Sequence, residues 1–162
     1  MLLEGKTVLV TGGSAGIGQA IAIGAARQGA DVAINFVGDD SKAQETLVQV
    51  RQAGRKALAV KGDVAIPETA DRFIAEATDA LGGVDVFVSN AGICPFHAFL
   101  DMPPETVDRT VQVNLLGAYY MVQAAARQMV SQKRGGSIIA MSSISALVGG
   151  EFQTHYTPTK AG

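Results

Sequence analysis

Strand-like and helical segments alternate along the 162 residues, and each strand-like run is nearly continuous in apolar residues. That combination predicts a doubly wound parallel α/β sheet covered on both faces. A glycine-rich turn between the first strand and the first helix, carrying Gly12, Gly16 and Gly18, belongs to the same architecture. Composition agrees: 48% hydrophobic and 17% charged residues with 19 glycines describe an ordinary folded α/β chain, long enough for one domain with a real core. No repeat, low-complexity tract or linker divides it, so residues 1–162 read as a single domain.

The elements follow in order. Thr7–Val10 is the first strand, and an alanine-rich helix after the glycine turn runs to Gln28 and is closed by Gly29. Val32–Phe36 is the second strand, and Ser41 is the expected N-cap of a helix reaching about Ala53. Ala57–Val60 is the third strand; Pro67 opens a helix to Leu81, followed by Gly82–Gly83. Val84–Val88 is the fourth strand, and Pro103–Pro104 begin one long helix to about Gln132. Ser137–Met141 is the fifth strand, followed by a loop from Ser142 to Thr154 and the start of a last helix. A helix that stops at Gly162, just after it begins, would be hard to hold in place alone, so the expectation is a domain lacking its last strands.

Charge and cysteine content exclude several classes of function. A net charge of −2 with scattered basic residues argues against nucleic acid or an anionic membrane as partner. One cysteine, Cys94, rules out an internal disulfide framework and fits a reducing compartment. The chain enters its first strand directly after Met1–Glu4, so no signal peptide is expected, and no apolar run approaches a membrane span. The expected location is the cytoplasm. Two histidines and one cysteine make no metal constellation.

The chemistry points to one edge of the sheet. Tyr156 and Lys160, four residues apart, share a helix face, so the ammonium can act on the phenol. A phenol of pKa about 10 is a poor base at neutral pH, and a nearby cation favours its ionised form. Ser143, thirteen residues before Tyr156, could hold the oxygen on which that group works. The glycines of the first turn, spaced G-x-x-x-G-x-G, would let the backbone approach a pyrophosphate at a helix N-terminus. Asp63–Val64, Asn90–Gly92 and Ser143 follow the third, fourth and fifth strands, where ligands of open parallel sheets bind. Each has a plainer reading: Asp63 as the cap of the next helix, Asn90–Gly92 as a simple turn.

Together, Thr11-Gly-x-x-x-Gly-x-Gly18, Asn90-Ala-Gly92, Asn114, Ser143 and Tyr156-x-x-x-Lys160 resemble the short-chain dehydrogenase/reductase family over the whole chain. The resemblance implies a Rossmann-type domain, with Tyr156 as catalytic acid/base and Lys160 assisting it while holding the nicotinamide ribose. Ser143 would position the substrate oxygen, and Asn114 would kink its helix around a water of the proton relay. Gly12, Ser14, Gly16, Ile17, Gly18 and Phe36 would line the dinucleotide, with Asp63, Val64, Asn90, Ala91 and Gly92 opposite. Ser89 departs from the family pattern, in which an asparagine often occupies that place. The segments Asn90–His97, Phe99–Pro103, Ser142–Gly150 and Thr154–Gly162 further resemble the members of this family that act on L-rhamnose. That likeness implies oxidation of an aldose, L-rhamnose foremost, at its anomeric hydroxyl to the lactone. The alternatives are a carbonyl reductase of the same family, such as one acting on 3-oxoacyl thioesters, and a cofactor-binding domain without catalysis. Subunit pairing through the long helix, giving a dimer or tetramer, is also implied.

Substrate contacts are expected from Ser143, Ser145, Gln153, Tyr156 and His97, because polyol recognition needs donors and acceptors at fixed places. Either histidine could instead be satisfied by backbone or solvent, and that is the expectation for His155. Cys94 reads as a small apolar filler beside the pocket. The second strand ends without the acid that takes the ribose hydroxyls in NAD sites; Asp39 and Asp40 come later, and neither Ala15 nor Val37 is the cation an NADP site would want. Use of both NAD and NADP is therefore expected.

Overall fold

A computed structural model describes residues 1–162. Five strands, β1 (Thr7–Thr11), β2 (Asp31–Phe36), β3 (Ala57–Lys61), β4 (Val86–Ser89) and β5 (Ser137–Ala140), form one sheet in the order β3-β2-β1-β4-β5. Every pairing is parallel. The chain leaves β1 in one direction for β2 and β3 and in the other for β4 and β5, so the order reverses between β1 and β4. The helices are α1 (Gly16–Arg27), α2 (Asp40–Gln52), α3 (Pro67–Leu81), α4 (Pro104–Val111), α5 (Ala118–Ser131), α6 (Ser145–Val148) and α7 (Tyr156–Ala161).

Alternation along β1 divides the interior in two. Val8 and Val10 point into a cluster with Ala22, Ala26, Ile34 and Val50, beneath α1 and α2. Leu9, between them, points the other way to Phe73, Phe87, Met121 and Ala125, beneath α3 and α5. Continuous apolar strands are thus explained by burial on both faces. β5 is different: all four of its residues are exposed, and it forms the edge of the sheet.

Besides shifts of one residue at the ends of β1, β2, β3 and β5, four features differ from those read in the sequence. The helix after β2 is capped by Asp39, whose carboxylate accepts the Ser41 amide at 2.8 Å, so Ser41 lies inside the helix and is not its cap. β4 starts at Val86, not Val84, because the Gln132 side chain takes both backbone groups of Val84: Oε1 accepts from its amide at 3.1 Å and Nε2 donates to its carbonyl at 2.6 Å. The long helix from Pro104 is interrupted by a π-helical segment, Gln112–Gly117, which separates α4 from α5. The loop from Ser142 to Thr154 contains the short helix α6.

Candidate active site

The reversal of strand order between β1 and β4 opens a crevice at the strands' carboxyl ends, and the glycine turn forms one of its walls. The β1–β4 ladder stops at Val10↔Val88. Past it, the buried Thr11 hydroxyl continues the stitch, accepting the Asn90 amide at 2.9 Å and the Ala91 amide at 3.0 Å. Asn90 answers through Nδ2, which donates to the Thr11 carbonyl at 2.9 Å. Gly12 has φ +65°, and a Cβ there would sit 3.1 Å from the Ala91 Cα; one on Gly18 would strike the Gly12 carbonyl oxygen and stand 2.5 Å from Asn90 Nδ2. Two loops are therefore locked together at backbone distance, which only glycines permit.

This cradle fits a dinucleotide. The α1 N-terminus has Ala15 at its cap position and no side-chain cap bond, so the first-turn amides remain for an anion. No atom stands within 4 Å of where a Gly16 Cβ would be, and Ile17 beside it is 63% exposed. Ser14 is half-buried in the same turn.

Across the crevice, α7 presents Tyr156 and Lys160 on one face as the spacing required. Lys160 Nζ lies 5.9 Å from the Tyr156 ring centroid and donates to the Met141 carbonyl at 2.9 Å. Burial pushes the Lys160 ammonium below the ordinary lysine range. A Cβ on Gly92 would stand 3.4 Å from that Nζ, so the Asn90–Gly92 turn and the lysine face each other directly. Ile17, Asn90, Gly92, Cys94, Met141, Ser142, Tyr156 and Lys160 line one cleft. Burial raises the Cys94 thiol, which keeps it protonated and fits the filler role.

Asn114 lies in the middle of the π-helical segment. Its side chain is buried and satisfied on every side: Oδ1 accepts the Ile93 amide at 2.8 Å, and Nδ2 donates to the Ile93 carbonyl at 2.8 Å and to Thr159 Oγ1 at 3.2 Å. It thereby ties the loop after β4 to α7. A widened helical turn often marks a functional site.

The expected substrate contacts form a chain at one side of the cleft. The Ser145 amide donates to Ser143 Oγ at 3.2 Å, and Ser145 Oγ donates to Gln153 Oε1 at 2.6 Å. Ser142, not Ser143, lines the cleft beside Tyr156, and its hydroxyl donates to the Lys160 carbonyl at 2.7 Å. His97 is half-buried on the loop after β4, and its amide donates to the Phe152 carbonyl at 3.3 Å, drawing that loop toward the segment before α7. The expectation for His155 fails: the residue is buried, and neither ring nitrogen has a hydrogen-bond partner. It precedes α7, which packs on α6 and α4, and is turned inward with that contact.

After β3, Asp63 does not cap the next helix, whose N-cap is Ile66 and which has no side-chain cap bond; it braces the loop and pairs with a cation. Its Oδ1 accepts the Ala65 amide at 3.0 Å, and its Oδ2 meets Arg109 of α4 at 2.6 Å. The Val64 side chain is buried in the core against Gly117, leaving only its backbone for a ligand. Phe36 is buried at the end of β2. Sequence reasoning missed Met141 and Arg109, and it gave no role to the Thr11 hydroxyl or to Asp39 as the cap of α2. The place of Thr11 directly before the first glycine is the one signal for its hydroxyl's role; a backbone carbonyl such as that of Met141 leaves none.

Comparison with known proteins adds the chemical context. The sequence pattern of the family described as short chain dehydrogenase matches residues 6–162. An L-rhamnose 1-dehydrogenase (NAD(P)(+)) of Sphingomonas sp. (strain SKA58) is 68% identical over 161 residues, covering 99% of this chain and 63% of that protein. A protein of the same name from Azotobacter vinelandii is 56% identical over 165 residues, covering 100% of this chain and 64% of that protein. Among solved structures, a short-chain type dehydrogenase/reductase from Mycobacterium marinum superposes with a TM-score of 0.93 at 38% identity, over 98% of this chain and 65% of that one. The chain thus spans just under two thirds of the length of these relatives.

Proposed function

Because this chain belongs to the short-chain dehydrogenase family, we propose that it oxidises an aldose, L-rhamnose foremost, at its anomeric carbon to the lactone. NAD or NADP serves as hydride acceptor. The single observation that carries this reading is the cleft in which Tyr156 and Lys160 meet the Asn90–Gly92 turn beside the glycine cradle. The sugar is supported by the activity for which the Sphingomonas and Azotobacter relatives are named.

The bound nicotinamide would supply the hydride acceptor, and the rest falls to the chain's own groups. Gly12, Gly16 and Gly18 would let the backbone approach a pyrophosphate, which the first-turn amides of α1 could hold. Ser14, Phe36, Asp63 and Val64 would border the adenosine side, and Ile17, Asn90, Ala91 and Gly92, which lie nearer Tyr156 and Lys160, the nicotinamide side. Tyr156 Oη takes the proton of the anomeric hydroxyl as the carbon–hydrogen bond breaks. Lys160, fixed by the Met141 carbonyl, supplies the positive charge beside that phenol and holds the ribose. Asn114 holds the loop after β4 against α7, and so keeps base and cradle in register. Ser143 Oγ accepts from the Ser145 amide, which leaves its own proton free for the substrate oxygen. Ser145 donates its proton to Gln153 Oε1, leaving the Gln153 amide protons for a sugar hydroxyl, with His97 on the facing loop.

No helix of the chain is long and apolar enough to cross a membrane. We place the activity in the cytoplasm, in a dimer or tetramer paired through the face of the long helix that carries the exposed Leu116 and Tyr119. Absorbance at 340 nm with L-rhamnose and a panel of aldoses tests the reaction. Reduction of NAD or NADP with L-rhamnose, lost about 10²-fold to 10⁴-fold in Tyr156→Phe, supports it. Silence on every aldose, with activity on a 3-oxoacyl thioester, would replace the sugar by a ketone.

A further inference from the structure

The region after β2 carries an arrangement that the reaction above does not use. In a doubly wound sheet the adenosine ribose lies by the end of the second strand, where an acid serves the 2′-hydroxyl or a cation the 2′-phosphate. Here that strand ends at Phe36. Asp39 is committed to capping α2, and its bond from the Ser41 amide is the main cause holding its carboxyl below the ordinary carboxylate range. Asp40 and Lys61 are left. Lys61 pairs in register with Phe36 across the β2–β3 ladder. Its Nζ lies 5.9 Å from the Phe36 ring centroid and meets Asp40 Oδ1 at 2.8 Å.

The base of this lysine is held by backbone hydrogen bonds while its tip is exposed. The Gly62 amide donates to the Phe36 carbonyl at 2.8 Å, Asn35 Nδ2 donates to the Gly62 carbonyl at 2.8 Å, and Arg72 donates to the Lys61 carbonyl at 2.5 Å. A side chain on Gly62 would collide with Thr69 and Arg72, so the backbone there packs closely against α3. The side chains of Lys61 and Asp40 are 55% and 74% exposed, and an exposed pair of this kind is held weakly. Lys42 is the other cation close enough to act on Asp39.

We propose that the Lys61–Asp40 pair at the end of the β2–β3 ladder is the element by which this chain accepts both NAD and NADP. Closed, the pair presents no free charge to the ribose 2′-oxygen, and a hydroxyl is tolerated. A 2′-phosphate, doubly charged, takes Lys61 Nζ from Asp40 and becomes its partner. This inference rests on the dinucleotide reading given above.

Calorimetric titration of the intact protein with NAD, NADP and 2′,5′-ADP tests it without reference to turnover. Lys61→Gln should raise the ratio of the NADP Kd to the NAD Kd about tenfold, the scale of one charge contact near a surface. Asp40→Asn should lower the same ratio, and Lys61→Arg should keep it near the wild-type value. Rising salt should weaken NADP more than NAD in the wild type, and Lys61→Gln should abolish that difference. Equal weakening of both dinucleotides, or an unchanged ratio in Lys61→Gln, would overturn the inference while leaving the cofactor reading intact. A wild-type protein that binds neither dinucleotide would overturn both.

Discussion

Replacing Thr11 by valine keeps the shape of the side chain and removes one oxygen. That oxygen is buried and accepts two backbone amides, from Asn90 at 2.9 Å and Ala91 at 3.0 Å, just where the β1–β4 ladder has run out. Nothing else in the chain accepts from either amide. An amide left without an acceptor costs about 1–3 kcal/mol, and the lower end applies because Asn90 and Ala91 are only half-buried and water can reach them. Two amides give about 2 kcal/mol. For a domain of this size each kcal/mol moves Tm by about 2–4 °C, so Thr11→Val should melt about 4–8 °C lower. Thr11→Ser, which keeps the acceptor, should recover most of the loss. Melting followed by circular dichroism measures this, and titration with NAD should show weaker binding in the valine variant, since the displaced turn also carries Gly92. A Thr11→Val protein that melts within about 1 °C of the wild type and binds NAD equally would refute the claim that this hydroxyl joins the two loops.

Two of the three glycines of α1, Gly18 and Gly24, should respond in opposite directions. Gly18→Ala drives a methyl against the Gly12 carbonyl oxygen and Asn90 Nδ2, and should cost about 1–3 kcal/mol in urea unfolding while weakening NAD binding. Gly24→Ala meets no atom within 4 Å on the exposed side of the same helix, and should stabilise by about 0.4–1 kcal/mol. For Lys160 the expected effect depends on pH. Burial lowers its folded value, so the unfolded chain binds more protons than the folded one between that value and about 10.4, and stability gains with rising pH across that window. The gain is lost as pH falls through the folded value. Lys160→Met should lack it, seen as a smaller difference in urea midpoint between neutral and alkaline pH than in the wild type; an identical difference would count against burial as the cause.

Much of this was legible because the sheet is buried on both faces. When each strand is apolar throughout and each glycine pair falls at a strand end, element order and sheet direction follow from the sequence, as Thr7–Thr11 and Gly12–Gly18 illustrate. The same holds for Tyr156 and Lys160, whose shared helix face is a matter of period alone. Boundaries failed where a distant or neighbouring side chain outcompeted the local signal. Gln132 takes Val84 from the strand across 48 residues, and Asp39 reaches the Ser41 amide before Ser41 can act as a cap itself.

The π-helical segment shows why one part of the site was invisible as geometry, although its central residue was named. Gln112–Gly117 has the apolar spacing of an ordinary helix, and nothing in its composition forbids one. What accompanies the widened turn is tertiary: Asn114 exchanges two bonds with the backbone of Ile93 and one with Thr159, and Gly117 lies close enough to Val64 to exclude a side chain. Each of those partners comes from another element, and none is within reach of a sequence window. The same argument applies to Lys160. Its spacing from Tyr156 is local, but the carbonyl that fixes its ammonium belongs to Met141 at the end of β5, the exposed edge of the sheet. The position of the proposed base is therefore set by how the edge strand is held, and a substitution that loosens β5, such as Ile139→Gly, should disturb catalysis before it disturbs binding of the adenosine half of the cofactor.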